Sequence, residues 1–338
     1  MNIKKLVKPN IRKLKAYHAA EVPCKIKLDA NESPYGLKVL GSVMTNRYPD
    51  PEAKELRSLA AKDLGVNPEN ILHGNGSDEL IYCLIAAFGG PVLFPVPTFS
   101  MYGIIAQSLD QEYTGIPLDN RFDIDMKPFE AALRKLKPRL TFLSSPNNPT
   151  GNSFSSVRIE KIIQKSKGIV VVDEAYQPFS ERKSFIPLLK KYDNLVILRT
   201  LSKVGLAGLR TGFMIAGTEI NEEVNKVRLP FNLNSLSQKV AVDALKKNTD
   251  LKKFITAITD ERKNLMAEMK KIRGIRPYPT DANFILFHAR DASSLHARLL
   301  KQGVLIRDMT GALPDCLRVT VGTSAENKAF LKALSNSL

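Results

Sequence analysis

The sequence predicts an α/β protein built on a doubly wound, mostly parallel sheet, with a smaller α+β domain beside it. Three observations carry this. Short apolar, β-rich runs alternate with stretches of helical periodicity through the middle of the chain, which is the pattern of βα units. At 338 residues the chain exceeds what one hydrophobic core organises, so a second unit is expected. Beyond about Asn232 the alternation gives way to a long lysine-rich helical stretch and then to short strands.

The strands come first. Pro91-Val92-Leu93-Phe94, Leu140-Thr141-Phe142-Leu143, Gly168-Ile169-Val170-Val171-Val172 and Leu195-Val196-Ile197-Leu198 are short, β-rich and bounded by breakers or charges, as buried strands are. Between them Glu52 to Leu64, Asp78 to Ala87 and Phe129 to Leu136 repeat apolar residues at intervals of three and four, so helices are expected there. In the C-terminal part, Asn283 to Phe287, Val304 to Arg307 and Leu317 to Val321 read as strands of the α+β unit. Ligands of open α/β sheets gather at the carboxyl ends of the strands, so the loops that follow them are where chemistry is expected.

Composition narrows the class. With 43% hydrophobic and 25% charged residues the chain is an ordinary globular protein. Its net charge of +16 comes from lysines and arginines scattered along the chain, without a basic tract interleaved with aromatics. That predicts a solvated basic surface that helps collect anionic ligands, and no nucleic-acid partner. Cys24, Cys83 and Cys316 lie far apart, as free thiols in a reducing cytosol do. His18, His73, His288 and His296 have no ligand spacing, so no metal is expected. Met1 to Lys15 is basic and amphipathic but has no apolar h-region or cleavage site, and no run approaches the roughly 20 residues that span a bilayer. A cytoplasmic protein without a membrane partner is expected.

Three segments stand at predicted strand ends. Arg199-Thr200-Leu201-Ser202-Lys203, with Gly205-Leu206-Ala207-Gly208-Leu209-Arg210, follows the fourth apolar run; Val171-Val172-Asp173-Glu174-Ala175-Tyr176 closes the third; Ser144-Ser145-Pro146-Asn147-Asn148-Pro149-Thr150-Gly151 follows the second. Each alone is accounted for by strand termination. Together they converge where an α/β enzyme builds its site. With Leu28-Asp29-Ala30-Asn31-Glu32-Ser33-Pro34-Tyr35-Gly36, Arg47-Tyr48-Pro49-Asp50 and Gly74-Asn75-Gly76-Ser77-Asp78-Glu79, the ordered set resembles the fold-type I, class II pyridoxal-phosphate-dependent aminotransferases, and within them the histidinol-phosphate aminotransferase family, over nearly the whole chain.

The resemblance implies a large domain, residues 37–232, on a mostly parallel seven-stranded sheet, with residues 1–36 and 233–338 forming an N-terminal arm and a small C-terminal domain. It implies pyridoxal 5'-phosphate as cofactor. Lys203 would bind it as a Schiff base and then act as the base at the substrate's Cα. Asp173 would keep the pyridine nitrogen protonated, and Tyr176 and Asn148 would hydrogen-bond the phenolic oxygen. Tyr102 would stack on the ring. Gly76, Ser77 and Asp78 at a helix start, with Thr200, Ser202 and Arg210, would cup the phosphate; Asp78 is expected to cap that helix. Tyr48 would reach the phosphate from the neighbouring subunit of a homodimer. Arg318 and Arg307 would hold the anionic end of the substrate, and Tyr17 and Asn31 would also contact substrate.

The implied reaction interconverts L-histidinol phosphate plus 2-oxoglutarate with imidazole acetol phosphate plus L-glutamate, a step of histidine biosynthesis. Threonine-phosphate decarboxylase and aromatic amino acid aminotransferase share the cofactor motifs and stay as alternatives, as does a basic nucleic-acid-binding regulator on the same fold. Two departures from the family pattern bear on sites. Only Val204 separates Lys203 from Gly205, where many relatives have two residues, so the reach of Arg210 depends on the loop adjusting. Ala16-Tyr17-His18-Ala19-Ala20-Glu21 lacks the Pro-Gly that commonly follows this tyrosine.

Overall fold

A computed structural model describes residues 24–28, 31, 33–35 and 48–338. Tyr17 and the expected boundary between residues 36 and 37 lie outside the described residues. Among the described residues, strand β1 (Ile26–Lys27) precedes helix α1 (Lys54–Leu64), β2 (Ile71–Asn75), α2 (Ser77–Phe88), β3 (Val92–Val96), α3 (Met101–Ser108) and β4 (Tyr113–Pro117). There follow α4 (Met126–Leu136), β5 (Leu140–Ser144), α5 (Ser156–Lys165), β6 (Ile169–Asp173), β7 (Leu195–Thr200), β8 (Thr211–Ala216) and α6 (Thr218–Asn225). The C-terminal part holds α7 (Ser235–Lys246), α8 (Asn248–Lys271), β9 (Ile275–Pro277), β10 (Phe284–Ala289), α9 (Ala292–Lys301), β11 (Val304–Leu305), β12 (Arg307–Asp308), β13 (Cys316–Thr320) and α10 (Ser324–Ser337).

The seven-stranded sheet has the order β2-β8-β7-β6-β5-β3-β4. β8 is antiparallel to both its neighbours, and every other pairing is parallel, so six strands share one direction and end on one edge. The apolar runs are continuous because both faces are covered. Val170, Val172, Leu195 and Ile197 enter one core cluster, while Val171, Val196 and Leu198, one residue out of phase, enter the other with Phe94, Tyr102, Phe142 and Met214. Truncating Phe142 in that second cluster to alanine would cost about 3–5 kcal/mol.

The C-terminal region forms a second sheet, β12-β13-β10-β9, antiparallel throughout. The run expected as one strand from Val304 to Arg307 divides. Val304 and Leu305 pair in parallel with Ile26 and Lys27, whereas Arg307 and Asp308 pair with Arg318 and Leu317. Apolar periodicity reports burial, not partner, so a strand that changes sheets leaves no trace in it. The described part of the N-terminal arm is thereby attached to the C-terminal region.

Candidate active site

The parallel strands deliver the site at their carboxyl ends. Asp173 is the last residue of β6, Thr200 the last of β7, Asn147 and Asn148 follow β5, and Gly76 follows β2. Asp173 is buried; its Oδ2 accepts the Tyr102 hydroxyl at 2.7 Å and its Oδ1 accepts the Ala175 N–H at 3.0 Å. Burial pushes the carboxyl up from 3.8 to about 6, against the lowering effect of those two donors and of the Lys203 charge. A buried carboxyl poised this way favours a cationic partner, which would restore its charge.

Tyr102 is placed differently from expectation. It is 0% exposed, lies parallel to Phe142 at 4.8 Å, and spends its hydroxyl on Asp173. A ring without free surface cannot stack on a ligand. Three residues earlier Phe99 stands edge-on to Tyr102 at 5.6 Å and stays half-buried, so of this pair it is the aromatic with surface to offer. The i, i+3 spacing was visible in the sequence, but not which ring turned inward.

Lys203 is half-buried, with Nζ 5.7 Å from the centroid of the Tyr176 ring. The shortened loop holds it in a single wide turn, Ser202–Leu206, in which Gly205 takes φ +104. Glycine is required there: a Cβ would stand 2.7 Å from the Tyr35 carbonyl oxygen. Tyr176 is buried, and its hydroxyl accepts from Asn31 Nδ2 at 3.1 Å, which leaves the phenol hydrogen free to donate elsewhere. Asn31 is itself latched to the C-terminal sheet through Thr320 Oγ1 at 3.0 Å and through Asn283 Nδ2, which donates to its carbonyl at 3.1 Å. Thr320 and Asn283 had no signal in the sequence, since they act across more than 250 positions of chain.

At the end of β2, Gly76 takes φ +83 and turns the chain into α2, so that Ser77 opens the helix. Asp78 does not cap it. The N-cap position belongs to Gly76, and Asp78 Oδ2 instead accepts from Arg210 Nη2 at 3.1 Å. Despite the shortened loop, Arg210 reaches this helix start: a Cβ on Gly76 would lie 2.7 Å from its Nη2. Thr200 and Ser202 are joined by a 2.9 Å hydroxyl contact at the end of β7. The exposed pair of Arg210 and Asp78 contributes little to stability and stays available to an anion.

Arg318 and Arg307 come from the C-terminal sheet, where they are directly opposite each other on β13 and β12. Residues opposed in an antiparallel pair project to the same face, about 5 Å apart at Cβ. Arg318 is buried over the Phe284 ring at 4.9 Å, and its Nη1 donates to Asn148 Oδ1. Asn148 thus keeps its Nδ2 as a donor. Tyr48 lies apart from these groups, 83% exposed and tilted against Phe231 at 4.8 Å. The described residues contain no cluster of three His, Cys, Asp or Glu side chains suited to a metal.

The residues suit pyridoxal phosphate by their chemistry: a buried acid that gains by meeting a cation, a lysine amine near a phenol with a free hydrogen, and a helix start beside an arginine where Gly76 leaves the backbone bare. Fold and site together define a pyridoxal-phosphate-dependent enzyme of fold type I.

Comparison with known proteins places it further. The aminotransferase class I and II family model matches residues 18–334. The chain is 43% identical to the histidinol-phosphate aminotransferase of Aquifex aeolicus, with 98% of each covered, and 40% identical to that of Caldanaerobacter subterraneus subsp. tengcongensis, with 99% of each covered. The solved histidinol-phosphate aminotransferase of Sinorhizobium meliloti, in complex with pyridoxal-5'-phosphate, has the same fold, with a TM-score of 0.88 at 24% identity over 98% of this chain and 97% of that one. That of Clostridium acetobutylicum gives 0.81 at 26% identity over 86% and 90%. The chain belongs to the class I and II aminotransferases, in the family of the histidinol-phosphate aminotransferases.

Proposed function

We propose that the chain transfers an amino group between L-histidinol phosphate and 2-oxoglutarate, giving imidazole acetol phosphate and L-glutamate, as a step of histidine biosynthesis. The observation that carries the substrate class is the opposition of Arg307 and Arg318, two guanidinium groups on one face of an antiparallel pair. Two forks suit a phosphate dianion and also hold the carboxylate of glutamate.

Pyridoxal phosphate, when bound, supplies a carbonyl for the substrate amine and a ring that accepts the charge left at Cα. Lys203 Nζ would hold it and, once released, would take the proton from the substrate's Cα and move it towards the cofactor. Asp173, aligned by the Tyr102 hydroxyl, holds the proton on the pyridine nitrogen. The free hydrogen of Tyr176 and the Nδ2 of Asn148 donate to the phenolic oxygen. Ser77, Thr200, Ser202 and Arg210 hold the phosphate, and Phe99 takes the stacking role first expected of Tyr102. Asn31 and Tyr17 serve the substrate side.

The enzyme works as a cytoplasmic homodimer in which Tyr48 serves the partner's site. The exposure of Tyr48 and of Phe231, which packs against its ring, supports this reading. Among the described residues no helix is long and apolar enough to cross a membrane.

A threonine-phosphate decarboxylase from Porphyromonas gingivalis has the same fold, with a TM-score of 0.75 at 24% identity over 86% of this chain and 90% of that one, so the test must separate the two reactions. The holoenzyme is given histidinol phosphate and then 2-oxoglutarate, with the visible band of the cofactor followed. Bleaching by the first and recovery with the second is the expected result. Carbon dioxide release from threonine phosphate, with no half-reaction on histidinol phosphate, would replace the transaminase reading and leave the cofactor assignment standing.

A further inference from the structure

We infer that Arg228 is a positioning residue for the cofactor's phosphate: it fixes the turn Asn75-Gly76-Ser77 and the segment that carries Tyr48 as one unit. The inference rests on reading Gly76 and Ser77 as part of the phosphate cup.

Arg228 is only 7% exposed, and its donors go to four neutral acceptors. Nε donates to Asn225 Oδ1 at 2.9 Å, Nη1 to Asn232 Oδ1 at 2.7 Å and to His73 Nε2 at 3.2 Å, and Nη2 to the Pro51 carbonyl at 3.2 Å. Burial and the charges of Arg228 and Arg57 hold His73 down at about 3, so at neutral pH it is an uncharged acceptor. Its Nδ1 then carries the hydrogen, and that atom is buried without a partner. Burial outweighs the favourable charges of Glu52 and Glu79 and holds the guanidinium below its ordinary value, so keeping this cation buried beside an unsatisfied N–H costs stability. What the arrangement gains is geometry.

That geometry runs to the site in a short relay. Asn232 Nδ2 donates to Glu79 Oε2 at 2.6 Å, and the same oxygen accepts the Asn75 N–H at 2.5 Å. Asn75 ends β2 and precedes Gly76, while His73 lies two residues earlier on the same strand, so Arg228 grips the approach to the α2 N-terminus twice. An anion site made of backbone N–H groups depends on the direction of those groups, and holding the strand end sets the first turn of the helix. On its other side Arg228 holds Pro51, Gln238 Nε2 donates to the Asp50 carbonyl at 2.9 Å, and Phe231 supports the Tyr48 ring. One buried side chain therefore joins the cup of its own subunit to the tyrosine offered outward.

The test compares pyridoxal 5'-phosphate with pyridoxal, which lacks the phosphate. In Arg228→Gln the full chain should hold pyridoxal phosphate about 10-fold more weakly, the effect of losing a hydrogen bond to a charged group, while its affinity for pyridoxal stays within about 2-fold. Arg228→Lys should recover part of the loss. Asn232→Ala, which keeps the arginine and cuts the relay, should show the same selectivity at smaller size, and it decides the matter if Arg228→Gln does not fold. Equal weakening of both ligands, or unchanged pyridoxal phosphate affinity, overturns the inference. Arg210→Ala, which removes the guanidinium beside Gly76, is the control on the cup itself. If it leaves the preference for the phosphorylated ligand untouched, the cup has been misplaced; if it lowers that preference while Asn232→Ala and Arg228→Gln do not, only the role of Arg228 falls.

Discussion

The two halves of the site are built in different ways. The proposed cofactor half stands on the ends of parallel strands covered on both faces, and its acid is fixed from below by Tyr102 and the Ala175 N–H. The proposed substrate half hangs on the antiparallel C-terminal sheet, where Arg318 and Arg307 are held by register; Arg318 reaches the first half at Asn148, and Thr320 reaches it through Asn31 and Tyr176. The contrast teaches where specificity can change. On the proposed roles, side chains on the second sheet could be exchanged without touching the buried acid, whereas a change under Asp173 would disturb every reaction the cofactor could run.

The largest effect should come from the cofactor half. Lys203→Ala should lower turnover by at least about 10⁴-fold and abolish the covalent attachment, with the thermal unfolding profile preserved. Any comparable loss from a substrate-half variant would erase the contrast. Asp173→Asn should keep the cofactor but raise the barrier by at least about 3 kcal/mol, the scale of a lost preorganised contact, read as kcat in single-turnover experiments. Near-normal turnover would contradict its role at the pyridine nitrogen.

Substrate-half variants should be milder and selective. Arg318→Ala should cost roughly 2–3 kcal/mol in kcat/KM for histidinol phosphate and for glutamate alike, since both anions use its fork. Arg307→Ala should cost about 2 kcal/mol for histidinol phosphate and less for glutamate. It should also narrow the gap between histidinol phosphate and unphosphorylated histidinol. Steady-state assays on the three substrates check this, and an equal loss on all of them would assign Arg307 to the fold.

The smallest effect is on stability and follows from the Asp173 carboxyl. Its value in the cofactor-free protein is raised to about 6 from 3.8, so between these values the folded state binds more protons than the unfolded one, and stability falls as pH rises through that window. Asp173→Asn lacks this loss. Cofactor-free Asp173→Asn should therefore be more stable than the parent above pH 6, by on the order of 2 kcal/mol, with the advantage vanishing towards pH 4. Urea titrations across that range read it directly, and parallel curves for the two proteins would remove burial as the cause.

Much of the cofactor half was legible because it is local. Asp173 to Tyr176 and Ser202 to Lys203 follow apolar runs whose unbroken character marks buried parallel strands, and the strand ends fix the edge where they meet. What could not be read is what two distant segments do to each other. Tyr102 and Asp173 are 71 positions apart, and only packing against Phe142 decides that the tyrosine turns inward. Asp78 was expected at the cap by residue preference, but the backbone of Gly76 already occupies that position and Arg210 claims the carboxylate. Arg307 could be placed at a strand end; that it faces Arg318 follows from register, which periodicity leaves open.

The claim on which both halves depend is that Lys203, at the end of β7, carries the cofactor. Borohydride reduction of the yellow holoenzyme, followed by proteolysis and mass spectrometry of the peptides, tests it most directly. The account predicts a single phosphopyridoxyl peptide modified at the lysine of Thr200-Leu201-Ser202-Lys203, absent from Lys203→Ala. Modification at another lysine in the parent protein would contradict it.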